Sequence, residues 1–196
     1  PLLNPDFNKI IAYLFLLNTP KQRFFTYLSM NTNAIFLNKE KVDLINRYIS
    51  RGFGRMAITL SIDAATRETY TKLKGHDYYN RVVENVRYLL KQKAKYSFGI
   101  NQLIYIQSLV HELNFNELEL FREFWSRELK KLKLVYKVDY AMPVPHFDTV
   151  IIFKRVYDFG NQEKYDILHK QIVEKLGLRE SHTPGTDDKK CDDKDK

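Results

Sequence analysis

The chain has one cysteine, Cys191, among 196 residues. That scarcity excludes a disulfide framework and points to a reducing compartment. Long apolar runs are also missing. The longest, Ile10 to Leu17, falls far short of the ~20 residues that a membrane-spanning helix needs. No signal-peptide pattern appears. The expectation is a cytoplasmic protein with no membrane partner. Basic residues never gather into a block of five or six. Although net charge is +8, the Lys and Arg read as solvated helix faces, so nucleic acid is not expected as a partner. There is no glycine-rich phosphate loop, because Gly52-Phe53-Gly54 reads as a helix stop. No tight hairpin signal such as Asn-Gly joins neighbouring strands.

What is present is an alternation of strand-like and helix-like segments. The apolar fraction is 44%, enough for a substantial core. Asp6, at the head of a helix running to Leu17, suits the dipole there. Residues 24–30 read as a strand, and Asn38 as the N-cap of a helix over 39–50 stopped at Gly52. Residues 56–62 form the next strand, and a short helical turn leads to Gly75. Asp77 reads as the cap of a helix to Lys93, with Val82, Val83, Val86, Leu89 and Leu90 on its apolar face. A strand over 97–107, a helix over 114–132, a strand over 134–140, an extended piece over 150–156 and a helix over 161–176 complete the pattern. Repeated βα units imply a parallel sheet. A full eight-stranded barrel takes about 250 residues, so the expected fold is α/β, a partial TIM-like (β/α) barrel or a small open sheet spanning residues 1–178. Residues 179–196 are mostly Asp and Lys, with no aliphatic side chain. They read as a disordered tail or linker.

Ligands of parallel α/β proteins bind at the carboxyl ends of the strands. Those ends carry Asn31-Thr32-Asn33, then Ser61-x-Asp63, then Gln107 with Asn101 at the strand's start, then Asp139. Such a rim suits hydroxyls, amides and a ribose. It lacks the His and carboxylate cluster of a hydrolytic metal site. Asn, Ser and Asp are also ordinary turn and cap residues, and Asp63 has a bland alternative role as cap of the short helix near Ala65. Tyr105, Tyr136, Tyr140 and Phe147 are candidates for a substrate pocket, although aromatics in strands commonly belong to the core. His146 is a candidate acid or base, or a plain surface-loop histidine.

The segment LSIDAATRETYTKLKGHDYYNRVVENVRYLL resembles the fourth-strand region of radical S-adenosylmethionine (SAM) enzymes. In that family the strand commonly ends in Ser-x-Asp, and a stretch like ExYxKLRG comes next. MNTNA is similar to the family's third-strand end, PLLNPDF to the segment directly after its Gly-Glu motif, and IQSLVHELNFNELELFREFW to the fifth strand and helix of the branch with a C-terminal SPASM or similar extension. The likeness runs from Pro1 to about Leu132. It implies a radical SAM barrel in which Ser61 and Asp63 lie around the SAM ribose and Thr32 and Asn33 line the same pocket. Lys74 stands where many relatives have an arginine for the methionine carboxylate; lysine keeps the charge and loses the bidentate fork. Ala34 replaces the usual glycine.

The resemblance further implies SAM and a 4Fe–4S cluster as cofactors, an electron donor such as flavodoxin or ferredoxin, and a small-molecule or peptide substrate. The intact enzyme would cleave SAM reductively to a 5′-deoxyadenosyl radical that abstracts a substrate hydrogen atom. The family's Cys-x3-Cys-x2-Cys motif is not in this sequence. The expectation is therefore a fragment whose cluster ligands lie upstream of Pro1, inactive alone. Cys191 is either a lone thiol in a linker or the first residue of an extension. Two other classes stay open: a non-catalytic α/β binding module for RNA or an acidic partner, and a degenerate radical SAM paralogue that keeps the barrel without the cluster.

Overall fold

A computed structural model of the protein describes residues 2–19, 21–22, 24–140, 147–157 and 160–178. The segment 179–196, with Cys191, and His146 lie outside the described residues. In chain order the elements are α1 (Phe7–Leu17), β1 (Leu28–Thr32), α2 (Lys39–Ser50), β2 (Met56–Ser61), α3 (Arg67–Lys74), α4 (Tyr79–Tyr96), β3 (Gln102–Val110), α5 (Leu118–Lys131), β4 (Lys137–Asp139), β5 (Thr149–Arg155) and α6 (Gln162–Lys175). The five strands make one sheet of order β1-β2-β3-β5-β4, parallel throughout. Among the described residues the sheet is open. No helix among them is long and apolar enough to cross a membrane.

The first three strands are neighbours in sequence order, and the last two exchange places. Burial explains the exchange. Val150, Ile151, Ile152 and Phe153 of β5 are all fully buried, the near-continuous apolar run of a strand covered on both faces. β4 is three residues with an exposed lysine at its start, a short charged strand that suits an edge.

All six helices pack on one face. Phe7, Ile45, Tyr70, Leu89, Trp125 and Ile172, one from each helix, share a single core cluster with Met30, Ile58, Leu60, Ile104, Ile106, Ile151 and Phe153 of the sheet. The alternate sheet residues form a second, smaller cluster of Tyr105, Val150 and Ile152, with Ala57, Leu103 and Phe147 against it. No described helix contributes to that second cluster. Parallel sheets are normally covered on both faces; here every described helix lies on one.

Several boundaries differ from the sequence reading, each for a local reason. Phe25 donates its N–H to Asn18 Oδ1 at 3.3 Å, which ties this stretch to the end of α1, and β1 starts only at Leu28. The expected start of the third strand is a 3-10 turn over Gly99–Asn101. Lys133 takes a left-handed φ of 55°, and Leu134 N–H returns to Leu129 O at 3.1 Å, so these residues stop α5 and β4 begins at Lys137. Asp77 does not cap α4, whose N-cap is Tyr78 with no side-chain bond. Its carboxylate instead takes Arg67 Nε at 2.9 Å.

The amino pole of the sheet is pinned by one buried cation. Lys93 is 1% exposed. Its ammonium donates to Gln102 O at 2.6 Å and Gly99 O at 3.0 Å and faces Asp148 at 3.4 Å. Burial pulls its pKa below the ordinary 10.5, with Asp148 opposing. A lysine whose folded pKa is depressed penalises the folded state below that pKa, and the penalty fades as pH climbs toward the unfolded value. Lys93→Met is therefore expected to remove a rise in stability that the native chain shows between the depressed pKa and 10.5. It also orphans two carbonyls at about 1–3 kcal/mol each. Urea unfolding of both proteins from pH 7 upward checks this, and parallel stability curves would contradict it.

Candidate functional site

The carboxyl ends of β1 and β2 are held in strained turns. Ala34, two residues past β1, has φ 62°, and Asp63, two past β2, has φ 65°. A left-handed backbone costs a residue with a Cβ on the order of 1–2 kcal/mol, so surrounding contacts must hold each one. Ala34 is fully buried. Its N–H donates to Thr32 Oγ1 at 3.0 Å, and its carbonyl accepts from Asn85 Nδ2 of α4 at 2.8 Å. Ala34 thus holds a left-handed conformation, clamped from both sides.

Asp63 is 4% exposed. Its N–H and that of Ile62 both donate to Gln107 O, at 3.3 and 3.1 Å. Oδ1 accepts from Leu109 N–H at 2.7 Å. Oδ2 pairs with Lys74 at the end of α3. One carboxylate therefore joins β2, β3 and α3. Asn114, 1% exposed, completes the knot: its Nδ2 donates to the carbonyls of Asp63 and Leu109 and to Ser108 Oγ.

Among the expected site residues, Thr32 is buried and commits its hydroxyl to the Ala34 turn. Asn33 is exposed and accepts from Ile35 N–H at 3.3 Å. Ser61 and Gln107 are register partners and touch through Gln107 Nε2 and Ser61 Oγ at 3.3 Å. Ile152 and Asp139 continue the same rung across β5 and β4. One rung toward the amino end but one, Asn31, Thr59 and Tyr105 line up. Paired residues of a parallel sheet share a face, so these groups lie on the face that no described helix covers. Ser61, Gln107, Thr59 and Asn31 can together offer hydroxyls and amides to a neutral polar ligand. Lys74 is paired internally with Asp63.

Behind the rim lies a buried polar layer that the sequence reading missed. Glu117 Oε1 accepts from Thr66 Oγ1 at 2.8 Å and Thr69 Oγ1 at 2.7 Å, which anchors the first turn of α3. Thr66, not Asp63, is the cap of that helix. Glu117 Oε2, Tyr70 Oη and His76 Nδ1 are buried with no hydrogen-bond partner among the described residues. The Tyr70 and His76 rings stand 5.9 Å apart. Burial, with Asp63 adding to it, pushes the Tyr70 phenol up to about 12. The sequence signal was an Asn and a Glu opening a helix, which looked like ordinary helix-start chemistry. Among the described residues no group of three or more His, Cys, Asp or Glu is placed to hold a metal.

Compared with known protein families, with curated proteins and with solved structures, the chain matches none.

Asp63→Ala is expected to destabilise by about 3–5 kcal/mol, the cost of breaking a buried pair, with Ser61→Ala losing less than about 1 kcal/mol. Equal unfolding midpoints for the two variants would refute the bracing role. Tyr70→Phe removes a hydroxyl that has no partner among the described residues, so it is expected to hold or raise stability at pH 7. A phenol raised on folding holds the folded state below its unfolded pKa, and stability falls as pH climbs from 10.0 toward about 12. The variant should lose that alkaline decline, which denaturation at pH 9 and 11 would reveal.

Proposed function

We propose that the chain is part of a radical SAM enzyme, a wall of its barrel, and that the sheet face without a described helix, with the carboxyl rim, holds the SAM nucleoside. The observation that carries this reading is that two of the non-glycine residues with a left-handed backbone, Ala34 and Asp63, lie just past consecutive strand ends. They close consecutive strand ends beside a row of neutral polar groups. Backbone strain of this kind persists where the surroundings over-determine it, and it clusters at ligand sites. One-sided helix packing agrees with a barrel wall. The motif order from Pro1 to about Leu132 supplies the rest.

The residues fit the two cofactors unequally. Ser61 and Gln107 can hydrogen-bond ribose and adenine edges, with Asn31 and Thr59 further down the same face. Asp63 serves as the positioning group for this rim, since both of its oxygens are committed. The 4Fe–4S cluster does not fit this chain: such clusters are held by thiolates, and the sequence contains one cysteine. No step is derived through it, and its ligands would have to come from outside these residues.

The test is equilibrium dialysis of the chain against labelled SAM. Saturable binding is expected, displaced by S-adenosylhomocysteine and not by ATP. Ser61→Ala and Gln107→Leu should each weaken it about five- to tenfold, one hydrogen bond's worth, while keeping the native circular dichroism. Absence of saturable binding, or undiminished affinity in both variants, would sink the proposal.

A further inference from the structure

A second surface lies at the opposite pole. α5 returns the chain from the carboxyl end of β3 to the amino end of β4, so its last turns sit away from the rim. Between those turns and β4 runs an open groove of about 790 Å³, whose lining includes Arg122, Arg127, Lys130, Lys131 and Tyr136, with Glu123 as its one carboxylate. Arg122 leans on Glu119 at 3.4 Å and Lys131 on Glu128 at 2.9 Å. Arg127 and Lys130 have no carboxylate partner among the described residues. Lys130 and Lys131 complement the helix dipole, being in the last turn. Arg122 and Arg127 stand too far back for that explanation.

We propose that this groove binds single-stranded nucleic acid. Its cations stand on two adjacent rows of α5, Arg122 with Lys130 and Arg127 with Lys131. Each four-residue step along a helix advances about 6 Å, so the rows present charge at intervals along the groove, as a phosphate backbone requires. Tyr136 on the β4 side adds a ring on which a base can stack. A charged groove with an aromatic side chain is the usual device for single strands. An acidic peptide would use the charge but not the ring. The cations are scattered through the sequence as SRELKK and its neighbours, and only the fold brings them beside Tyr136. This inference does not depend on SAM binding.

The experiment is fluorescence anisotropy of a labelled oligouridylate titrated with the whole chain at several salt concentrations. Expected is saturable binding with a negative log–log salt slope. Arg127→Gln with Lys130→Gln should weaken it about tenfold and flatten the slope by about 1.4 units, roughly 0.7 for each phosphate of a single strand no longer neutralised. Tyr136→Leu should weaken it severalfold with the slope unchanged. A control pair, Arg51→Gln with Lys91→Gln, removes the same charge from α4 and the end of α2 and should change little. The proposal is overturned by no binding, by equal loss in groove and control pairs, by no effect of Tyr136→Leu, or by displacement with a polyglutamate peptide at equal charge concentration.

Discussion

Asp63 organises the carboxyl edge of this sheet. A parallel sheet has no hairpins, so nothing covalent and short fixes one strand end against the next. Here a single buried carboxylate does it, taking the Leu109 amide with one oxygen and the Lys74 ammonium with the other. The left-handed turn at Asp63 is what swings the side chain back toward β3. Asn114 then closes the loop after β3 onto the Asp63 carbonyl, and Glu117, three residues later, anchors the first turn of α3. Two crossover connections that never pair as strands are thereby locked together.

Much of this fold is legible in the sequence because helix and strand periods differ. The helix over 39–50 and the strand at 56 are seen at once, since Val42, Ile45 and Ile49 recur at helical spacing while residues 56 to 62 are a short apolar run. The exchange of β4 and β5 is legible only in part: Lys137 and Asp139 in LVYKVDY suit an edge and the apolar run of TVIIFKR suits a centre, but neither segment says which of them pairs with β3. The rim residues Ser61 and Asp63 are legible as polar groups ending an apolar strand. Their division of labour is not. Asn114 and Glu117 look like helix-start residues, and only tertiary contact turns one back to a carbonyl and the other across to two threonines. The basic groove escapes for the same reason, because charge density on a surface is a property of the fold and not of a window of sequence.

The two faces of the sheet are unlike in chemistry. One is covered by every described helix and built from Ile, Leu, Val and Phe. The other carries Asn31, Thr59, Ser61 and Gln107 beside the small cluster around Tyr105. Thr59 and Gln107 of that strip are buried and Asn31 is exposed; polar groups buried against apolar ones carry a desolvation cost, so this strip calls for polar partners.

That contrast bears on how the proposed nucleoside would be held. For Lys74 to meet a ligand carboxylate it must leave Asp63, whose carboxylate is nearly fully buried. Abandoning a buried charge costs several kcal/mol, and a new exposed ion pair returns about 1 kcal/mol or less. A ligand held through Lys74 therefore binds at a disadvantage. Ser61 and Gln107 share only a 3.3 Å contact with each other, and they can exchange it for a ligand hydroxyl or amide at little cost. The same comparison keeps Asp63 in its bracing role when a ligand arrives, because both of its oxygens already have donors. Neutral hydrogen bonds from the face without a described helix would be the less costly route to recognition, and the ion pair beside them serves to keep that face in register.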